Sequence, residues 1–438
     1  MTAPSMASRL GMPPELWEKV LYTLLCLAVY RAGAHITTPG VNALVLGDFV
    51  RNQGSQTLFG VYDLFVGGGL QRATVLALGI MPYISASILF QLGGAVFPYI
   101  DKLQKEEDGR KRITQWTRYA TVVLSLFQAY AFAIFTENLA GAVASPGWGF
   151  RMVTVLTLTT GAIFVMWLGE RITEYGLGNG MSLLIFFSIM EGMWPGIFKT
   201  IEFLRTDVIN LVSLVVLLVV MLGVVAGVAM MTVAQRKIPI QIPRKVMGRG
   251  RMREGQKTFI PIRINSASVM PIIFAQSLII VPGTIATFSN VPSLKALAEA
   301  IAPGTWPYYV LYAAMIIFFT YFYTSIIFNP IDLAENLKKQ GAFIPGVKPG
   351  GPTADYIDDV LSRITLPGAL FLCIIALLPF FVLDAFNVPF RFGGTAILIV
   401  VGVALDTWAQ IQQHAQLRHY DDFMKQGRIK FRGRRRYV

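Results

Sequence analysis

Apolar residues in this chain run in long blocks, and polar residues gather between the blocks. A bilayer-spanning helix needs about 20 mostly apolar residues. Ten segments meet that pattern: Val20–Ala34, Ala73–Phe97, Tyr119–Phe135, Met152–Leu168, Met181–Ile197, Leu211–Thr232, Ala267–Phe288, Tyr308–Phe328, Ile364–Leu383 and Gly393–Ile411. In the fifth, Glu191 and Pro195 crowd the end. The expected fold class is an all-α polytopic membrane protein with ten transmembrane helices.

One stretch breaks the pattern. Leu58–Leu92 is too long and too interrupted for one ordinary span, with Asp63 and then Gly67, Gly68 and Gly69 in its first half and Pro82 inside the apolar second half. Glycine lowers helix stability by roughly 1 kcal/mol relative to Ala, so a break is favoured there. Broken backbone at membrane depth needs cover from protein or a water-filled cavity. Two readings stand: a kinked helix after a loop, or a short re-entrant element followed by a helix lining a cavity.

Composition agrees with the pattern. Of 438 residues, 54% are hydrophobic and 14% charged, against about 25% charged in soluble domains. The formal charge of +13 does not point to a free nucleic-acid-binding protein, because the basic residues cluster between apolar blocks. They alternate from loop to loop. Loops 2–3, 6–7 and 8–9 and the C-terminal tail are rich in Lys and Arg, and the intervening loops are poor. The positive-inside rule makes the rich loops cytoplasmic and, with ten spans, places both termini there. Met1–Leu16 has no apolar core and does not read as a cleavable leader. Cys26 and Cys373 lie inside apolar segments and read as buried hydrophobes.

An even division gives an N-terminal half at 1–194, an external loop at 195–208, a C-terminal half at 209–413 and a basic cytoplasmic tail at 414–438. Five spans per half force the halves into inverted orientation, with a site between them. In loop 6–7, Ile238, Ile240 and Ile242 alternate with other residues, as do Ile260, Ile262 and Ile264, around the basic, Gly-bearing run MGRGRMREGQK. That reads as a β-hairpin projecting from the membrane. Loop 8–9 has a second projecting tip, GAFIPGVKPGG at 341–351. Topogenic charge alone accounts for loop 2–3. Loop 6–7 and the tail carry more charge than orientation requires and suit an acidic or phosphate-bearing partner.

No catalytic or cofactor motif occurs: no HExxH, P-loop, Cys/His metal spacing or GxSxG elbow. Arg31, Glu170, Arg171, Glu174 and Asp406 sit near span ends, where interfacial anchoring or ion pairing between helix ends is the favoured reading. A proton- or sodium-coupled carrier is disfavoured without midplane charge, although a secondary transporter with broken helices and inverted repeats is the alternative. Ile80, Ile84 and Ile88 share one helical face. Such a stripe is either core packing or one side of a hydrophobic constriction.

Four stretches carry a resemblance. ALGIMPYISASILFQL (77–92), WLGERITEYGLGNGMSLLIF (167–186), FIPGVKPG (343–350) and FGGTAILIVVGVALD (392–406) closely resemble the SecY family, the large subunit of the bacterial preprotein translocation channel. The resemblance implies a passive protein-conducting channel in the cytoplasmic membrane. It implies a plug at Val61, Tyr62, Asp63, Leu64, Phe65, Val66, Gly67, Gly68, Gly69 and Leu70, and a pore ring at Ile80, Ile84, Met181, Ile185 and Ile273. The span-ten ring position falls on Ala404, a departure from the family's larger residue, with Val400 as substitute one turn away. The family's docking surface for the ribosome and the SecA motor maps onto Arg244, Lys245, Arg249, Arg251, Arg253 and Lys257 in loop 6–7 and Lys338, Lys339 and Lys348 in loop 8–9. Lys348 stands where the family usually has Arg, and lysine lacks the bidentate fork. Small subunits resembling SecE and SecG, unfolded preproteins with their signal sequences, and membrane lipids are the remaining implied partners.

Overall fold

The computed structural model describes residues 14–53, 58–206, 210–241, 246–247, 251–252, 257–265, 267, 269–288, 293, 296, 300–302, 304–386 and 394–431. In chain order its elements are α1 Pro14–Gly33, α2 Ala43–Gln53, α3 Leu58–Phe65, α4 Met81–Val96, α5 Pro98–Lys105, α6 Glu107–Asn138, α7 Trp148–Tyr175, α8 Gly180–Arg205 and α9 Leu211–Val233. The hairpin follows as β1 Gln235–Gln241, β2 Val246–Met247, β3 Arg251–Met252 and β4 Lys257–Arg263. Then come α10 Met270–Phe288, α11 Trp306–Ile327, α12 Pro330–Lys339, α13 Gly351–Phe386 and α14 Gly394–Phe431. Each of the ten predicted segments falls on a helix: α1, α4, α6 to α11, α13 and α14. Among the described residues, seven helices are individually long and apolar enough to cross a bilayer, or eight if the bent pair α4–α5 counts as one span.

The second span starts later than its hydropathy predicts. Residues 73 and 75–80 are turns, Thr74 bridges to Thr37, and the helix begins at Met81. The backbone there is already committed elsewhere. Thr38 N donates to Ala73 O at 2.7 Å, and Val75 N donates to Ile36 O at 2.8 Å. Gly79 adopts φ +52, which a helix interior excludes. Pro82 then occupies the first turn of α4, where its missing N–H is no loss. At the other end the chain turns through 109° into α5. Phe97 is extended and Pro98 opens the next helix, so no α-helical bond can cross the junction. The fifth span runs longer than predicted: α8 continues through Pro195 to Arg205.

The chain divides into two compact units, one of 1–55, 59–192 and 403–438, the other of 56–58 and 193–402. In the first, α6 packs on α4 and α7, and α1 packs on α7. The buried face of α6 is Thr117, Thr121, Ser125, Gln128, Ala129, Phe132, Ala133 and Thr136. Small and hydroxyl residues let helices approach closely in lipid. Their hydroxyls return hydrogen bonds to their own helix, as Thr121 Oγ1 to Thr117 O at 2.7 Å. Gly161 on α7 lies against the Val75 carbonyl, leaving no room for a Cβ. In the second unit, α11 packs between α10 and α13, and α9 rests on α13. Val212, Val219, Leu222 and Met230 of α9 are exposed, as a lipid-facing surface requires.

The predicted hairpin is present. β1 pairs antiparallel with β4 with Ile238 opposite Ile260 and Ile240 opposite Thr258, and a second short ladder joins β2 to β3. Both β1 and β4 are edge strands, which tolerate Pro239 and Pro261.

Candidate functional site

The glycine-rich break forms a compact re-entrant element. α3 supplies one turn pair, and the chain then winds back through turns to Ile80. Asp63 organises it from inside. Its Oδ1 accepts from Leu70 N at 2.9 Å and Gln71 N at 3.1 Å, and its Oδ2 accepts from the Gln71 side-chain amide. Tyr62 donates its hydroxyl to Leu78 O at 2.9 Å. Tyr62, Asp63, Phe65, Val66 and Leu70 are all buried.

Glycine here serves contact as well as flexibility. Gly67 has φ +70, and a Cβ on it would lie 3.1 Å from Ser188 O and 3.2 Å from Ser188 Cα. The element therefore rests backbone to backbone on α8. One turn along, Leu64 meets Gly192. Ser188 is fixed from the other side by the Tyr30 hydroxyl at 2.8 Å.

A cluster of charge borders this seat. Glu191, between the two contact positions on α8, pairs with Arg31 of α1 and with Arg72, the latter at 3.4 Å. The Arg31 guanidinium, together with slight desolvation and Arg72, holds the exposed His35 imidazole below its ordinary value. The expectation of ion pairs between helix ends is met by Arg118 Nε of α6, 2.8 Å from Glu170 Oε1 of α7, whereas Arg171 Nη1, 2.9 Å from Glu174 Oε2, pairs within α7. Sequence reasoning missed the Asp63 and Glu191 networks. An acidic residue among glycines and another crowding the end of a span were the available signals.

The ring candidates divide by environment. Ile80 is the residue that caps α4, and Ile84 lies one turn on; both are buried, as are Ile185 on α8 and Ile273 on α10. Met181 is half-buried, its sulfur against Gly169. Val400 is half-buried and Ala404 exposed on α14. Ala404 lines an apolar cavity of roughly 160 Å³ with Leu183, Phe186, Val403, Thr407, Trp408 and Ile411. The small residue at this position thus coincides with unfilled space.

The basic loops form one platform. Ile238, Ile240 and Ile262 of the hairpin share a core with Leu337 of α12, Ala342 and Ile344 of the loop 8–9 tip, and Ile357 and Leu361 of α13. Gln241 and Phe343 exchange backbone hydrogen bonds at 2.9 and 3.0 Å. The outward face carries Lys237, whose ammonium lies 4.8 Å from the centre of the Phe259 ring. Lys338, Lys339 and Lys348 are exposed. Arg251 lies on β3 and Lys257 on β4; Arg244, Lys245, Arg249 and Arg253 lie outside the described residues. No cluster of three or more metal-ligating side chains occurs among the described residues.

A family model described as SecY matches residues 74–408. The chain belongs to the SecY family. It is 43% identical to the protein translocase subunit SecY of Aquifex aeolicus over 94% of this chain and 97% of that protein. It is 42% identical to the Escherichia coli K12 subunit of the same description, over 96% of each. Among solved structures it is similar to one described as a protein-conducting channel, with a TM-score of 0.66 at 17% identity over 91% of this chain and 92% of that one. It is also similar to Sec61 in a canine ribosome-channel complex, with a TM-score of 0.61 at 16% identity over 91% and 92% of the two chains. The chain is a multi-pass membrane protein and a protein-conducting channel of this family, and the secondary-transporter alternative is not favoured.

Proposed function

We propose that the chain passes unfolded secretory preproteins across the cytoplasmic membrane and releases apolar segments sideways into lipid, doing no covalent chemistry of its own. Residues 61–70 act as the plug. Ile80, Ile84, Met181, Ile185 and Ile273, with Ala404 or Val400, form the constriction. The halves 1–194 and 209–413, joined by an external loop at 195–208, enclose the path, and both termini and the 414–438 tail face the cytoplasm. The platform of loops 6–7 and 8–9 receives a ribosome or a SecA-like motor, and small subunits resembling SecE and SecG complete the assembly.

The observation that carries this reading is the plug seat: an internally hydrogen-bonded re-entrant element, held on α8 by close backbone contact at Gly67, one turn from Ile185. A conduit for any sequence needs deformable aliphatics in place of a specific polar pocket. Sideways release follows from partition energies. Leu, Ile, Phe and Val contribute about −0.3 to −0.6 kcal/mol each, and a central charge opposes by roughly +2.5 to +3.5 kcal/mol.

The test is site-specific photo-crosslinking from Ile84 in vesicles holding the purified protein, a motor and a precursor stalled partway. A crosslink appearing only during stalled transport supports the path. Its absence from Ile84, Ile185 and Ile273 in transport-competent vesicles overturns it.

A further inference from the structure

The plug seat and the charge cluster lie on the same face of one helix. Ser188, Glu191 and Gly192 are spaced i, i+3 and i+4 on α8, which places them side by side. Ser188 receives Gly67, and Gly192 receives Leu64. Glu191 receives Arg72, the residue after Gln71, and Gln71 is the residue whose backbone and side chain bind Asp63. From the opposite side α1 clasps the same face, with Tyr30 on Ser188 and Arg31 on Glu191.

We propose that Glu191 is the positioning residue of the plug: its carboxylate, shared by Arg31 and Arg72, holds the end of the plug segment on the seat, and release of Arg72 is the step that frees the plug. This rests on the reading of residues 61–70 as a plug. The two arginines are not equivalent. Arg31 is fixed within a helix and its side chain is 34% exposed, whereas the Arg72 side chain is 42% exposed and lies in a segment of turns. The Glu191 side chain is 12% exposed. When Arg72 leaves, Arg31 still neutralises the carboxylate, so opening does not strand a buried charge. A carboxylate left unpaired in such a place is strongly unfavourable. The shared acceptor thus makes one tie breakable while the other remains. Exposed His35 adds a further ionisable group beside the two guanidiniums.

The experiment uses the full chain in vesicles with a cysteine at Leu64→Cys, which is half-buried against Gly192, and a membrane-impermeant maleimide outside. Cys26 and Cys373 are buried. Arg72→Gln is expected to raise the labelling rate about 2- to 5-fold, the range for a partly exposed pair. Glu191→Gln should do the same or more, and the double variant no more than Glu191→Gln alone. Arg72→Lys, which keeps the charge, should stay near the parent rate, and high salt should raise the parent rate while leaving Arg72→Gln unmoved. Additive single effects, or an Arg72→Gln rate equal to the parent at both salts, overturn the proposal. Because Arg72 is half-exposed, its variants decide the matter even if Glu191→Gln fails to assemble. A parallel deletion of residues 61–70 separates the two levels. Ion leak on deletion with no effect of Arg72→Gln removes only the clamp; no leak on deletion removes the plug reading itself.

Discussion

Replacing Gly67 with alanine should open the channel more than the same change at its neighbour Gly68. Both residues have positive φ, +70 and +76. An L-residue in that region costs roughly 1–2 kcal/mol. At Gly68 the nearest atom to a new Cβ is Gln71 Nε2 at 3.7 Å, an ordinary contact. At Gly67 the nearest atoms are Ser188 O and Cα at 3.1 and 3.2 Å. These are backbone atoms of a long helix and cannot step aside, so overpacking adds about 1 kcal/mol or more. The cost falls on the seated plug, since a released segment is free to relax both the dihedral and the contact. At about 1.4 kcal/mol per tenfold, Gly68→Ala should raise the open fraction roughly 5- to 30-fold and Gly67→Ala roughly 30-fold or more.

The assay is ion conductance of the purified protein in planar bilayers without substrate, with thermal unfolding measured in parallel. Gly346→Ala is the control. Its φ is +87 with nothing within 4 Å of the added Cβ, and it lies in the loop 8–9 tip, so it carries the dihedral cost without touching the plug. Conductance should rank Gly67→Ala above Gly68→Ala, and both above Gly346→Ala and the parent. Equal conductance for the two plug variants, or the reverse order, would refute the argument that backbone contact with Ser188 seats the plug.

Three further outcomes follow from named contacts. Tyr62→Phe removes the donor to Leu78 O and leaves a buried carbonyl with one partner fewer, so the seat should weaken by about 1 kcal/mol, read as increased leak in the same bilayers. Ala404→Ile adds an apolar side chain to the half-open apolar cavity beside α14, where new packing contacts should raise thermal stability; a lowered unfolding temperature would show that the space cannot take the side chain. Ile262→Ala, at a fully buried position in the platform core, should destabilise the hairpin by roughly 2–5 kcal/mol and lower ribosome or motor binding, while substrate-free conductance stays at the parent level.

Spans were legible because lipid imposes a simple rule on them: about 20 apolar residues per crossing, with basic residues gathered in alternate loops. The hairpin was legible because Ile238, Ile240, Ile260 and Ile262 keep a two-residue period. What composition could not show depends on partners distant in sequence. The late start of α4 comes from residues 73–75 pairing with 36–38. The docking of hairpin on tip joins Gln241 to Phe343. Glu191 reads as an intrusion at the end of a span until Arg31 and Arg72 are placed beside it. In each case local hydropathy is intact and the deciding contact is tertiary.

Under the proposed plug role, the division of ties within residues 61–70 bears on how the element would move. Asp63 holds Leu70 and Gln71, all within one short stretch, so that network is internal to the element. Among the described residues its ties to its surroundings include Tyr62 on Leu78, Thr74 N on Gly69 O, Gly67 on Ser188, Leu64 on Gly192, Val66 against Gly79 and Arg72 on Glu191, and Tyr62, Phe65, Val66 and Leu70 are buried. A net hydrogen bond is worth about 0.5–1.5 kcal/mol, and a partly exposed ion pair about 0–1 kcal/mol. The Tyr62–Leu78 bond and the Arg72–Glu191 pair together contribute about 0.5–2.5 kcal/mol, and the buried Tyr62, Phe65, Val66 and Leu70 add packing to them. A partner shifts such an equilibrium only by its differential affinity for the open and closed forms. Under the proposed plug role, separating the ties that shape the element from the ties that seat it would let the closed state be specific and still yield to a docking partner.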